Sequence, residues 1–347
     1  MTLDTIRAAI EADVPVLLWG APGTGKTAAI YELARAAGAH TETLIGSMLD
    51  PVDVGGQPIP ARGRVVIAPP AWAERLLAAI RAGRPAWLIL DELSCAPPSV
   101  QAALLRVVHE RRVAELDLTG CRVVAAANPA DTAADGGSIA AATANRWAHV
   151  DWTVDASAWV AGEAAGWGTP STGAIAAARA PVLGWITAQP AALLRVPQDP
   201  AAAGRAWPSP RSWSAAIRML AATAVGAAAR RAAVAATVGD AAAAEWATWV
   251  VAQDLPDAEA VLAGRARMPT RGDQARAVSI AVALAAAAEH AERTRRVGRA
   301  WEVLATLRPD VALVAARMLL ESAPESIPDS AVALGDALLA VRAEVAR

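Results

Sequence analysis

The sequence predicts an α/β domain, a mainly parallel sheet covered by helices on both faces, followed by an all-helical region. Three observations carry this prediction. Apolar runs of strand length recur in the first half of the 347 residues, helical patterns separate them, and beyond about residue 155 the strand signals vanish.

The strand-length runs are Val14–Trp19, Thr41–Ile45, Ala86–Leu90, Arg122–Ala127 and Ala148–Trp152. Helical patterns at Ala28–Ala37, Ala71–Ala82 and Ser99–Glu110 lie between them. Strands that alternate with helices are joined by crossovers, so they lie parallel and need cover on both faces. From about Asp155 onward, alanine-rich segments carry Leu, Val, Trp and charges at helical spacing, punctuated by stretches such as "VPQDP", "WPSPRSW" and "MPTRGD". The expected division is an αβ core over residues 1–160, a helical lid over 161–225 and a helical extension over 226–347, with a soft boundary near 153–170.

Composition narrows the function classes. A net charge of -2 with pI near 6.1 gives no general field toward nucleic acid or anionic membrane. Cys95 and Cys121 have neither disulfide-framework nor zinc spacing, and His40, His109, His149 and His290 show no metal-binding spacing. The N-terminus carries acidic residues and no long apolar run, and Ala277–Ala288 is too short to cross a membrane, so a soluble cytoplasmic protein is expected. With no Phe and one Tyr, the thirteen Trp residues are expected to fill the aromatic core positions.

The chemistry concentrates in "GAPGTGKT", which follows the first apolar run and precedes a helix. Gly20, Ala21, Pro22, Gly23, Thr24, Gly25, Lys26 and Thr27 match G-x-x-x-x-G-K-[ST] in full. In such a loop backbone N–H groups curl around phosphates and the helix N-terminus adds a favourable field. Lys26 is the only lysine among 32 basic side chains, and a compact ammonium reaches terminal phosphates in a way a planar guanidinium does not imitate. Thr27 is positioned to place its hydroxyl on Mg2+.

A second element, "WLILDELS", ends a buried apolar strand on Asp91 and Glu92, at the end where open parallel sheets gather ligands. Asp91 is expected to hold Mg2+ and Glu92 to polarise the attacking water. In the third, "VVAAANP", the strand ends on Asn128, whose neutral amide is suited to orient that water; a turn-forming Asn-Pro is the simpler alternative.

These residues resemble the AAA+ ATPases, and within them the MoxR and dynein-related branch, over about residues 14–215. The resemblance rests on "GAPGTGKT" as Walker A, "LILDEL" as Walker B, "SVQAALLRVVHERRVAELDL" leading into "VVAAANP" as sensor 1, then "ANRWAHVDW" and "WPSPRSW". It implies a P-loop NTPase core, a helical lid, a homo-oligomer in the form of a hexameric ring and ATP bound between subunits. By the same resemblance Arg146 looks like the finger that reaches a neighbour's phosphate, with Arg111 and Arg112 as rivals, and Arg211 like the sensor 2 arginine. The family commonly has Phe where Trp147 stands. It also implies that the segment Ser47–Trp72 holds an inserted hairpin facing the pore, with Arg62 and Arg64 as candidate client contacts.

The leading expectation is an ATP-hydrolysing motor that remodels or activates a protein partner, by resemblance a von Willebrand factor A-domain protein. Two others stay open: a nucleic-acid motor, including GTP-using restriction-type relatives, against which the acidic pI weighs, and a nucleotide-gated scaffold without turnover.

Overall fold

The computed structural model describes residues 2–61, 63–129, 139–168, 173–223, 226–253, 256–287 and 292–323, together with residue 335. Contacts divide the chain into two compact units at Thr153 and Val154.

In the first unit α1 (Thr2–Glu11) leads into β1 (Val16–Trp19), α2 (Lys26–Ala36) and β2 (His40–Ile45). A short α3 (Pro51–Gly55), the antiparallel hairpin β3 (Gln57–Ala61) with β4 (Arg64–Ala68), and α4 (Ala71–Arg81) follow. Then come β5 (Ala86–Asp91), α5 (Pro98–Glu110), a small hairpin β6 (Arg112–Val113) with β7 (Leu116–Asp117), β8 (Cys121–Ala127), α6 (Ala141–Ala144) and β9 (Ala148–Asp151).

β2, β5, β8, β1 and β9 form one sheet in that order, and every pairing in it is parallel. Side chains alternate across a strand, so each strand feeds two cores. Leu17, Leu88, Leu90, Val123 and Ala125 pack on one face with Trp72, Val100 and Leu104. Val16, Leu18, Trp87, Ile89, Val124 and Ala126 pack on the other with Ile6, Ile10 and Ile30. Burial on both faces is why these strands read as unbroken apolar runs. The five expected strands and the three expected helices are all present, with ends shifted by one or two residues.

The hairpin of β3 and β4 occupies the segment where an insertion is implied by resemblance; Arg64 is exposed on it, and Arg62 lies outside the described residues. The hairpin of β6 and β7 was not signalled by any apolar run, because each of its strands has only two residues.

The second unit is helical throughout its described residues. Its helices are α7 (Ala156–Ala164), α8 (Gly173–Ala188), α9 (Pro200–Ala203), α10 (Pro210–Ala222), α11 (Ala227–Val238), α12 (Asp240–Gln253), α13 (Ala258–Leu262), α14 (Gly272–Ala287), α15 (Arg293–Leu304) and α16 (Pro309–Ser322). One apolar cluster runs from Trp159 to Ala323, through both segments expected as lid and extension. Trp159, Trp185, Trp213, Trp246 and Trp301 are buried in it, as Trp72, Trp87 and Trp147 are in the first unit, so tryptophan does supply the large core rings.

The start of α10, which carries Arg211, is fixed twice. Ser209 and Ser212 form a reciprocal capping box around Pro210, satisfying N–H groups that the first turn leaves open. Behind it, the buried Glu163 carboxylate of α7 accepts from the Ser214 hydroxyl and from the Trp167 indole at 3.0 Å. Arg179 on α8 lies 3.7 Å from that carboxylate, and burial pushes its guanidinium below the usual arginine range.

Candidate nucleotide site at the carboxyl ends of the strands

The loop between β1 and α2 is held by its neighbours before any ligand is considered. Gly25 stands at the N-cap of α2 with φ 91°, a left-handed conformation that glycine adopts without the steric cost a Cβ adds. Gly20 is there for a different reason: a Cβ on it would sit 2.9 Å from the Trp152 carbonyl oxygen. Trp152, just past β9, also donates its indole N–H to the Thr24 carbonyl at 3.1 Å. The Thr24 hydroxyl donates to the Ala21 carbonyl at 2.7 Å and closes the turn on itself.

Lys26 opens α2 and is buried. Its ammonium donates to the Gly20 carbonyl (2.7 Å), the Ala21 carbonyl (3.0 Å) and the Asn128 side-chain oxygen (2.8 Å). Thr27 donates its hydroxyl to both oxygens of the Asp91 carboxylate, at 3.1 and 3.0 Å. The backbone N–H of Glu92 donates to Asp91 Oδ1 at 3.0 Å. Loop residues and strand-end residues far apart in sequence thus meet at the carboxyl end of the sheet's interior strands.

Glu92 is exposed and has φ 54°, in the left-handed region, which costs a non-glycine residue on the order of 1–3 kcal/mol. Its carboxylate accepts from the Ser47 hydroxyl at 2.7 Å. The chain beyond β2 approaches this turn closely: a Cβ on Gly46 would lie 2.7 Å from the Glu92 carbonyl oxygen. Asn128 is fixed from behind by Ser94, which is buried and whose hydroxyl accepts the Asn128 backbone N–H at 3.2 Å.

Of the residues named from sequence, Lys26 bonds Asn128 and the adjacent Thr27 bonds Asp91, so the four form two joined pairs with Glu92 next to them. Arg146 lies two residues beyond α6, partly buried, and donates to the Ala142 carbonyl. Arg211 is exposed in the first turn of α10 in the second unit.

Arg111 is engaged within its own unit. It is 9% exposed, donates to the Cys121 carbonyl at 3.0 Å and to the Val108 carbonyl, and pairs with Asp13 at 3.4 Å. Asp13 precedes β1 and Cys121 begins β8, so Arg111 braces the amino ends of the strands, away from the phosphate loop. Arg112 is exposed and lies 3.9 Å from Asp117. At the same end burial pushes the Cys121 thiol up to about 12, leaving it without nucleophilic thiolate.

Ser47, Ser94, Trp152 and Gly46 were not singled out from sequence. Single serines and glycines carry no spacing signal, and their partners are fixed only by sheet order.

Residues 15–147 match the family model of the AAA domain, dynein-related subfamily. The first unit is an AAA-type ATPase domain. That matched segment runs from β1 to just before β9 and contains Lys26, Thr27, Asp91, Glu92, Asn128 and Arg146. Solved structures similar to the chain include the following two. A RuvB variant from Thermotoga maritima shares 15% identity over 73% of this chain and 70% of that one, with a TM-score of 0.37. A Cytophaga hutchinsonii protein provisionally named an ATPase shares 15% over 92% and 81%, with a TM-score of 0.32. The domain is that of an ATP hydrolase, with a parallel sheet between helices and a helical region after it. Among the described residues no helix is long and apolar enough to cross a membrane.

Proposed function

We propose that the protein is a MoxR-type AAA+ ATPase that assembles as a hexameric ring and uses ATP binding and hydrolysis to remodel or activate a protein partner, with a von Willebrand factor A-domain protein as the candidate partner. The observation that carries the reading is the meeting of two bonded pairs, Lys26 with Asn128 and Thr27 with Asp91. It brings an amine, an amide, a hydroxyl and a carboxylate to the start of a helix.

In this reading Lys26 exchanges its bonds to Gly20 and Ala21 for the terminal phosphates, and the backbone N–H groups from Gly23 to Thr27 cradle the rest. The hydroxyl of Thr27 and the carboxylate of Asp91 are hard oxygen donors 3.0 Å apart. Thr27 and Asp91 would hold Mg2+, which supplies neutralising charge on the phosphates.

Glu92 takes a proton from the attacking water while Asn128 orients that water. Arg146 acts on the nucleotide of the neighbouring subunit, offsetting charge on the transferring phosphoryl group, and Arg211 acts from the lid. Residues 1–160 serve as the core, 161–225 as the lid and 226–347 as its extension. Arg64 and the 70%-exposed Val65 on the hairpin of β3 and β4 give the client a surface to meet.

The test is Lys26→Ala. ATP turnover should fall by at least about 10²-fold, the loss expected when one preorganised charge is removed from a reacting oxyanion. Light scattering of Glu92→Gln with ATP should show six protomers. Unchanged turnover in Lys26→Ala would sink the assignment of the site, and a monomer under the second condition would sink the ring.

A further inference from the structure

His149 has no metal-binding spacing and is exposed, yet both of its ring nitrogens are used. In the pairing of β1 with β9, His149 stands opposite Leu17 and Asp151 opposite Trp19, which makes His149 and Trp19 diagonal neighbours on one face. Their ring centroids are 6.1 Å apart with planes 8° from parallel. The Trp19 indole N–H donates to His149 Nδ1 at 2.8 Å. On the other side His149 Nε2 lies 2.9 Å from the Ala144 carbonyl oxygen.

An indole nitrogen only donates and a carbonyl only accepts, so Nδ1 accepts and Nε2 carries the hydrogen. The geometry therefore places the ring hydrogen on Nε2. That ring joins two places with different tasks. Trp19 is the last residue of β1, and Gly20, which follows it, accepts from Lys26. Ala144 is the last residue of α6, two positions before Arg146.

We propose that His149 is a positioning residue that couples a protomer's own phosphate loop to the arginine it presents to the next protomer. The proposal rests on the reading of Arg146 as a finger acting in trans. When phosphate draws Lys26 off the Gly20 carbonyl, the end of β1 readjusts, and the two bonds of His149 carry that adjustment to the end of α6. Each site then sets the finger of its neighbour, and hydrolysis becomes cooperative around the ring.

The experiment compares wild type with His149→Phe, which keeps a ring beside Trp19 and removes both nitrogens, His149→Gln, whose amide can accept and donate, and Trp19→Phe. Four quantities are read: turnover against ATP concentration, its Hill coefficient, affinity for a fluorescent ATP analogue, and Tm. His149→Phe should lower turnover about two- to thirtyfold, the range seen when a coupling residue is removed, and bring the Hill coefficient toward one. Affinity and Tm should stay at wild-type values. His149→Gln should recover part of the cooperativity, and Trp19→Phe combined with His149→Phe should be no worse than either alone.

A wild-type Hill coefficient of one overturns the proposal, as does a His149→Phe protein with wild-type turnover and cooperativity. So does a parallel loss of Tm and turnover at constant Hill coefficient, the mark of a merely structural residue. Arg146→Ala separates the two levels. If it abolishes turnover while His149→Phe changes nothing, the finger stands and the coupling falls; if it leaves turnover intact, the finger falls and takes the coupling with it.

Discussion

The two ends of the same sheet use similar residues for opposite purposes. At the amino ends Asp13 lies between Arg122 at 2.7 Å and Arg111 at 3.4 Å, so charge is met by opposite charge. At the carboxyl ends Asp91 is held by a hydroxyl and a backbone N–H, and Glu92 by a hydroxyl. Neutral partners orient a charge without cancelling it. The first arrangement is finished as it stands, whereas in the proposed site the second keeps its field for a charged substrate, and on that reading the difference between bracing and chemistry lies in the partners more than in the residues.

The sharpest way to break this comparison is at Glu92. Replacing it with Gln keeps the size and the Ser47 contact but removes the basic carboxylate that the proposed mechanism requires. Turnover should fall about 10²- to 10⁴-fold, the usual contribution of a general base, while ATP binding persists. Single-turnover hydrolysis beside a filter-binding titration distinguishes the two effects. Loss of binding with the loss of turnover would mean that Glu92 holds the loop together instead of activating water.

The second prediction concerns the other end. Arg111→Met should leave turnover per folded molecule near the wild-type value and cost stability of about 1–3 kcal/mol, because buried carbonyls of Cys121 and Val108 and the Asp13 carboxylate lose their donor. Chemical denaturation measures that cost. A drop in turnover with unchanged stability would move Arg111 back among the functional arginines.

How much of this was legible beforehand follows from the range of the interactions. The strands of the main sheet were readable because they are buried on both faces and therefore continuous in apolarity, as in "WLIL" before Asp91. The phosphate loop was readable because its glycines and Lys26 act through local backbone geometry. Arg111 reads in the sequence as a rival finger at a helix end, and its bonds to Asp13, 98 residues away, and to the start of β8 are silent there. Ser94 and Trp152 were silent for the same reason, since their partners Asn128 and Thr24 lie 34 and 128 residues away. The lack of metal-binding spacing likewise makes His149 look idle in the sequence, although its two bonds reach across a strand pair and to a helix end.

The smallest effect is expected at Ser47. It lies beyond β2, at the sheet edge on the far side of β5 from β1, so its bond draws the Glu92 carboxylate away from the strand that leads into the phosphate loop. Removing the hydroxyl in Ser47→Ala frees the carboxylate to turn toward that loop. Basal turnover should rise a fewfold, below the about 10- to 10²-fold that a hydrogen bond to a charged group contributes, with no change in ATP affinity. The size of the rise matters because it measures how firmly a neutral partner holds a reactive charge. An unchanged rate would show that Ser47 only accompanies Glu92, and a fall would show that it points the carboxylate at its task; either result would redraw the contrast between the two ends of the sheet.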